Sequence, residues 1–450
     1  MISYEKYKAS SCDWIDSIPS HWDTHRVKML FSLRDERNYK PLNEVNLISL
    51  YTSLGVRQHK DIEHTTGNKA RNADGYKIVH PDDMVVNILL CWMGAIGRSD
   101  YYGVTSPAYD IYKPKTKSVN TKYYNYLMRT PMFAQQCYRA GKGIMAMRWR
   151  TYSPQFSNIV VPVPSRDEQD QIVRFLDWKV SGINKLIGIR KKQIAELEEL
   201  KKAVISRAVT KGIVPDVEMK DSGVKWLGDI PSKWDIVKLK KIVTLSESKV
   251  NNSNLPYVGM ENVNSWTGKY NLNEQIVSES ICPTFIKGNI LFGKLRPYLA
   301  KAFIADFDGI CSGEFLVFKD IMCNSSFLLY YLLSEKFIDN INSSTYGAKM
   351  PRASWDYIGI QLVPMPSTNV QEEIVAYLDK KCTGLDNIIF MRKKQINELT
   401  ELKVRLISDV VTGKIDVRGV EIPEYEYVDD DMTDTDEENE SEELTEEQEE

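Results

Sequence analysis

Apolar positions fall into the same long pattern twice along this chain. From Arg166 onward, Val173, Leu176, Val180, Ile183, Ile187, Ile194, Leu197, Val204 and Ala208 recur at spacings built from three and four, with Arg190 and Lys201 on the same line. From Thr368 onward, Val375, Leu378, Cys382, Leu385, Ile389, Ile396, Leu399, Leu406 and Val410 do likewise, with Arg392 and Lys403 at the matching heights. Such spacing held over several heptads is a coiled-coil seam. It predicts two helices of roughly 44 residues, each on the order of 66 Å long. Neither has an interior proline; Pro162 and Pro164 precede the first and Pro364 and Pro366 the second, marking a hinge before each rod. Gly182 and Gly384 are single weak points that could place a bend or a close contact. Alone, each helix would expose its stripe, so the two are expected to pair. Because the first leads through residues 212–228 into a second globular segment, the expected pairing is antiparallel, with the globules at opposite ends of one rod.

The pattern belongs to a larger repeat. Trp14 opens WIDSIPSHWDTHRVKMLFSL and Trp226 opens WLGDIPSKWDIVKLKKIVTL, about 212 residues apart. VPVPS at Val161 returns as VPMPS at Val363, and residues 161–213 match residues 363–415 without a gap at 27 of 53 positions. Between these anchors the copies diverge: DDMVVN at Asp82 faces GNILFG at Gly288, and GVTSPAYDIY at Gly103 faces GICSGEFLVF at Gly309. Branched and aromatic runs predict strands at 47–53, 84–90 and 105–112 in the first copy and at 255–260, 289–292 and 314–318 in the second. Residues 123–136 and 326–340 each predict one amphipathic helix. The expected fold class is α/β: two mixed α/β domains separated by two long helices pairing as an antiparallel coiled coil, with an internal pseudo-two-fold repeat.

With 450 residues, 42% hydrophobic and 27% charged, the chain can bury at least two cores. No run approaches 18 apolar residues and the N-terminus has no leader pattern, so the expectation is a cytoplasmic protein with no membrane. Seven scattered cysteines without a CxxC support neither a disulfide framework nor a zinc ribbon, and Cys91 and Cys311 read as core residues. The net charge of −4 conceals a division: residues 421–450 hold 17 Asp and Glu and no Lys or Arg, leaving 45 acidic against 58 basic side chains before them. The basic body hints at a polyanionic partner. The tail reads as a disordered, solubilising appendage, with competition against nucleic acid as the alternative.

No phosphate loop, HExxH or nuclease carboxylate set occurs, so no catalytic and no metal-ligating residues are assigned and no cofactor is expected on this chain. SPAY at Ser106 resembles the Asn-Pro-Pro-Tyr loop of amino-methyltransferases but lacks the asparagine and second proline, and its duplicate reads SGEF. The DNA-binding candidates are Arg57, Lys69, Arg71, Arg98, Lys142 and Arg148 in the first copy and Lys249, Lys294, Arg296, Tyr298, Lys349 and Arg352 in the second. Lys and Arg attract phosphate anywhere, whereas a bidentate Arg at a base edge discriminates sequence. For each residue alone, ordinary solvated charge competes with this assignment. GKLRPY at Gly293 is the sharpest candidate, because a glycine, a proline, two cations and a tyrosine converge on one short loop.

These features together resemble the specificity subunit of a type I restriction-modification system over residues 10–418. The resemblance is carried by the paired W-[IL]-x-x-IPS-x-W segments, GNILFGKLRPYLAKA from Gly288, the two VPxPS hinges, Q-x-x-IVxxLD from Gln169 and Gln371, and RKKQIxEL at Arg190 and Arg392. It implies a non-catalytic subunit with target-recognition domains at 1–160 and 226–362, a helical spacer and linker at 161–225, a second helix at 363–418 and a tail at 419–450. Each domain is expected to read one half of a bipartite double-stranded DNA target, with the helices fixing the separation. The implied partners are two modification subunits that methylate adenine with S-adenosylmethionine and restriction subunits that translocate DNA with ATP and Mg2+, a setting of phage defence. Partner docking is implied around 168–209 and 372–410. The second hinge carries NVQ where the first has DEQ, and the acidic tail lies outside the framework. The competing function is a scaffold that binds DNA without discriminating; equal affinity for all duplexes would mark it.

Overall fold

The computed structural model describes residues 3–52, 54–61, 72–143, 149–251, 254–272, 281–347 and 350–429. Contacts divide the chain into two compact units, residues 1–191 with 394–450, and residues 192–393. The first long helix, Arg166–Lys211, and the second, Thr368–Val411, each give one part to each unit.

The helices pair within both units. In the first, Ile183 and Ile187 are buried in one core with Leu406 and Val410, and Ile396 and Leu399 pack against it. In the second, Ile205, Ala208 and Val209 share a core with Leu378 and Cys382, flanked by Val204 and Val375. In both cases the early part of one helix meets the late part of the other, so the pairing is antiparallel. The two seam lysines find repeated partners. Lys201 Nζ donates to Asp386 Oδ1 at 2.5 Å, and Lys403 Nζ donates to Asn184 Oδ1 at 3.3 Å. Asn184 and Asp386 are themselves repeat counterparts, so one cross-helix pair is built twice, once with a carboxylate and once with an amide. Removing the carboxylate strands a lysine whose side chain is only 12% exposed. Asp386→Ala should therefore cost about 1–2 kcal/mol, whereas Lys201→Met should be near neutral because methionine fills an apolar seam. Urea unfolding midpoints of the two variants check this; equal losses would show that packing, and not charge pairing, governs the position.

Gly182 and Gly384 interrupt neither helix, and open space surrounds the place a Cβ would take, so no close contact lies there. The conformationally demanding glycines sit at the helix ends. Gly212 and Gly413 both have φ of +79°, where glycine avoids the Cβ penalty. A Cβ on Gly413 would lie 2.4 Å from Pro19 and 3.1 Å from Trp22, and one on Gly212 would lie 3.3 Å from Trp234. The repeated IPS-x-W motif thus covers a long-helix C-terminus in each unit.

The units share a four-stranded antiparallel sheet of one order. In the first it runs Phe31–Arg34, Tyr109–Pro114, Met84–Asn87, Ile96–Arg98; in the second, Thr244–Leu245, Phe315–Lys319, Ile290–Gly293, Ala302–Ile304. The central strands MVVN and ILFG are buried throughout because both sheet faces are covered. Met84 and Val86 point into the core that holds the helices and Val85 into a second cluster; Ile290, Phe292 and Leu291 repeat the arrangement.

Two expectations change. Each predicted amphipathic helix is a pair, Thr121–Met128 with Pro131–Ala140, and Ser325–Leu332 with Glu335–Ser343. In the first pair Pro131 opens a new helix whose N-cap Thr130 accepts from Phe133 N–H, local chemistry that outweighs the continuous apolar face. The proline hinges are strands: Val160–Val163 pairs with Asp23–Arg26 and Leu362–Met365 with Asp235–Lys238. Buried Gln169 and Gln371 then lock each strand-to-helix turn. Each donates to the carbonyl of Pro164 or Pro366 and accepts the backbone N–H of Asn120 or Asn324, the N-cap of the neighbouring helix. This clamp explains the repeated glutamine better than a solvent-facing role would.

Candidate nucleic-acid interface

In the second unit, three segments distant in sequence are held together by backbone hydrogen bonds. The strand Ile290–Gly293 ends where a Cβ on Gly293 would meet Met260 Cε at 2.8 Å and the Lys301 carbonyl at 3.1 Å, so the close approach permitted there is to protein. Lys294 N–H then donates to the Glu314 carbonyl at 2.9 Å, Arg296 N–H to the Pro351 carbonyl at 2.7 Å, and Ala353 N–H to the Lys294 carbonyl at 3.0 Å. Arg296 is left-handed, φ +47° and ψ +62°, before the short helix Pro297–Leu299. That conformation costs a side-chain-bearing residue about 1 kcal/mol.

These ties separate the basic candidates into two kinds. Arg352 clasps Glu314 with two nitrogens, Nη2 to Oε1 at 3.0 Å and Nε to Oε2 at 3.1 Å, which raises the guanidinium pKa and fixes Arg352, with its backbone partner Tyr346, against the loop. Arg296 makes no side-chain hydrogen bond or ion pair with a described residue, and Tyr298 beside it is 45% exposed. Lys294 and Lys249 line one hollow with Ser246, Ile281, Pro283 and Gly313. Neither side chain has a carboxylate partner among the described residues, so an anion entering the hollow would meet uncompensated positive charge.

The first unit divides the same way. Arg98 bonds Asp82 at 2.6 Å and also engages Asp100, and its side chain is 12% exposed. Burial disfavours its charge, yet the Asp100 and Asp82 carboxylates outweigh that and raise its pKa. Arg57, on the strand Gly55–Gln58, donates from Nη2 to Asp429 Oδ2 at 2.9 Å. Lys142 and Arg150 exchange backbone hydrogen bonds at 2.9 and 3.0 Å, and no side-chain partner engages either among the described residues. Next to them Trp149 stacks on Tyr138 with ring centroids 4.7 Å apart. Lys69, Arg71, Arg148 and Lys349 lie outside the described residues.

SPAY and SGEF are one turn made twice. Ser106 Oγ accepts from Ala108 N–H and Ser312 Oγ from Glu314 N–H, each just before an inner strand of the sheet. The likeness to a methyltransferase loop is therefore explained by a serine turn. Among the described residues, no three His, Cys, Asp or Glu side chains gather as a metal site, and no helix is long and apolar enough to cross a membrane.

Residues 231–401 match the family described as type I restriction modification DNA specificity domain. Beyond that segment, the chain is 25% identical over 432 residues to the type I restriction enzyme MjaVIII specificity subunit of Methanocaldococcus jannaschii, covering 90% of this chain and 95% of that one. Along nearly its whole length the chain is thus similar to a type I restriction-modification specificity subunit. The EcoDI specificity subunit of Escherichia coli is 24% identical over 263 residues, 54% of this chain and 58% of that one. In fold, the chain is similar to one from a structure described as the basis of complex assembly and conformational transition of the type I R-M system. That likeness has a TM-score of 0.63 at 12% identity and covers 88% of this chain and 99% of the other.

Sequence reasoning missed the residues that sort the chain's cations. Glu314 lies in the SGEF turn and Asp82 opens DDMVVN; both segments stood out only as repeat landmarks. Nothing local in the sequence pairs them with Arg352 and Arg98. The clamp of Gln169 and Gln371 left only a partial signal: the repeat of both glutamines is legible in the sequence, but the burial that makes hydrogen-bonding partners necessary is not.

Proposed function

We propose that this chain is a type I specificity subunit that reads a bipartite, asymmetric DNA sequence, one half with each unit, and directs adenine methylation or ATP-dependent restriction by its partner subunits. The carrying observation is one sheet-and-helix scaffold built twice around the same helical framework, with different basic and aromatic side chains displayed on it. Lys249, Lys294 and Arg296, without side-chain partners among the described residues, and exposed Tyr298 contribute the second reading surface, and Arg57, Lys142 and Arg150 the first. Arg98 and Arg352, already held by carboxylates, position the loops that carry the others. Lys69, Arg71, Arg148 and Lys349 remain candidates on sequence alone. Modification subunits using S-adenosylmethionine dock on the repeated helical regions, and restriction subunits using ATP and Mg2+ act through them; the chain supplies recognition and no catalytic group.

Replacing residues 34–158 with the corresponding part of a compatible specificity subunit should change one half of the methylated motif and leave the other intact. Separately folded reading surfaces couple weakly, which is the basis for this expectation. Adenine-methylation mapping in cells decides it. If both halves change together, the division of labour is wrong; if methylation becomes random while the complex still assembles, the chain is a scaffold without discrimination.

A further inference from the structure

The acidic C-terminus is anchored before its charge begins in earnest. After Gly413 the chain runs along the outer face of the first long helix. Val417 is fully buried, and Val420 and Ile422 pack against the first core. Gln171 Nε2 donates to the carbonyls of Val417 at 3.0 Å and Val420 at 2.8 Å. Ser181 Oγ donates to the Glu426 carbonyl at 2.9 Å and accepts from Val428 N–H at 2.7 Å, and Asn184 Nδ2 donates to the Val428 carbonyl at 3.2 Å. Lys185 pairs with Glu426 at 3.2 Å. This strap departs from the repeat. Ser181 and Asn184 are buried beneath it, while their counterparts on the second helix, Thr383 and Asp386, are exposed and half-buried.

The strap ends on the first reading surface, where Asp429 meets Arg57 at 2.9 Å. Residues 430–450 follow with thirteen Asp and Glu and no Lys or Arg. Covalent linkage keeps the first of these close, since each residue spans at most about 3.6 Å. We infer that residues 413–429 are an anchor from which the acidic residues that follow compete with double-stranded DNA for Arg57 and its basic neighbours on the first DNA-reading surface. The inference rests on the proposed reading function and adds its regulation. Phosphates would have to displace Asp429 before reaching Arg57. A covalently attached competitor works at a fixed effective concentration, so it suppresses weak, random-sequence binding more than tight binding to the target.

The test compares the full chain with a variant ending at residue 429 and a full-length variant in which the thirteen tail carboxylates become Asn and Gln. Titrations use a random-sequence duplex and a duplex bearing the motif mapped by methylation. Both variants should bind the random duplex about tenfold more tightly than wild type at about 50 mM salt, with the gain fading near 300 mM as charges are screened. Asp429→Asn should give part of that gain, and a peptide of residues 424–450 added to the truncated chain should reverse it. Equal affinities for wild type and truncation at low salt, with target discrimination retained, would overturn the tail's role alone. Loss of any preference for the target in all forms would instead remove the reading function on which it rests.

Discussion

Seven residues inserted after Lys192 and after its repeat counterpart Lys394 should move the two recognised half-sites apart by about three base pairs. A heptad preserves the a/d seam and lengthens each helix by about 10 Å, against a base-pair rise near 3.4 Å. The two sites are equivalent in the repeat, so the insertions extend both helices together. The antiparallel pairing in each unit can then be kept, including Lys201 with Asp386 and Lys403 with Asn184. Inserting seven residues in one helix only should abolish folding or methylation, because the seams would no longer face their partners. Methylation mapping of the soluble double insertion is the measurement. An unchanged spacer would show that these helices do not set the distance between half-sites.

Arg296→Ala should lower discrimination at one base pair by about 1–3 kcal/mol, roughly 5- to 150-fold, if the guanidinium forks onto a base edge. Lysine retains charge without the planar fork, so Arg296→Lys should lose nearly as much. A phosphate contact behaves differently: lysine is then almost silent, and alanine weakens all duplexes alike with a shallower salt slope. The left-handed backbone supplies an independent arm. Arg296→Gly should lose discrimination while leaving stability level or higher by about 1 kcal/mol, since glycine accepts φ +47° without the Cβ penalty. Titrations against single-base variants at several salt concentrations, beside unfolding curves, separate the cases. A glycine variant that unfolds more readily would assign Arg296 a structural contact.

The contrast between Arg296 and Arg352 marks where sequence reasoning stopped. Both lie in short basic loops with a nearby glycine or proline. Arg352 is neutralised by Glu314, 38 residues away, and Arg98 by Asp82, 16 residues away. Arg57 meets Asp429 across 372 residues. No spacing encodes such pairs. The break at Thr130–Pro131 is different, because a capping residue followed by proline is a local signal that the sequence itself carries and that outweighs the longer apolar face.

What the sequence determined by itself was therefore the framework: the two long helices, their seam, the internal repeat and the presence of strands near residues 84–90 and 289–292. Those features rest on periodicity, which is local and repeats at 3.6 or 2 residues whatever lies across the core. Tertiary structure alone decided which cations are engaged by carboxylates, why Gln169 and Gln371 recur, and where residues 413–429 lie. Each of those depends on which side chains folding brings within about 3 Å of one another, a distance that separation along the chain does not contain.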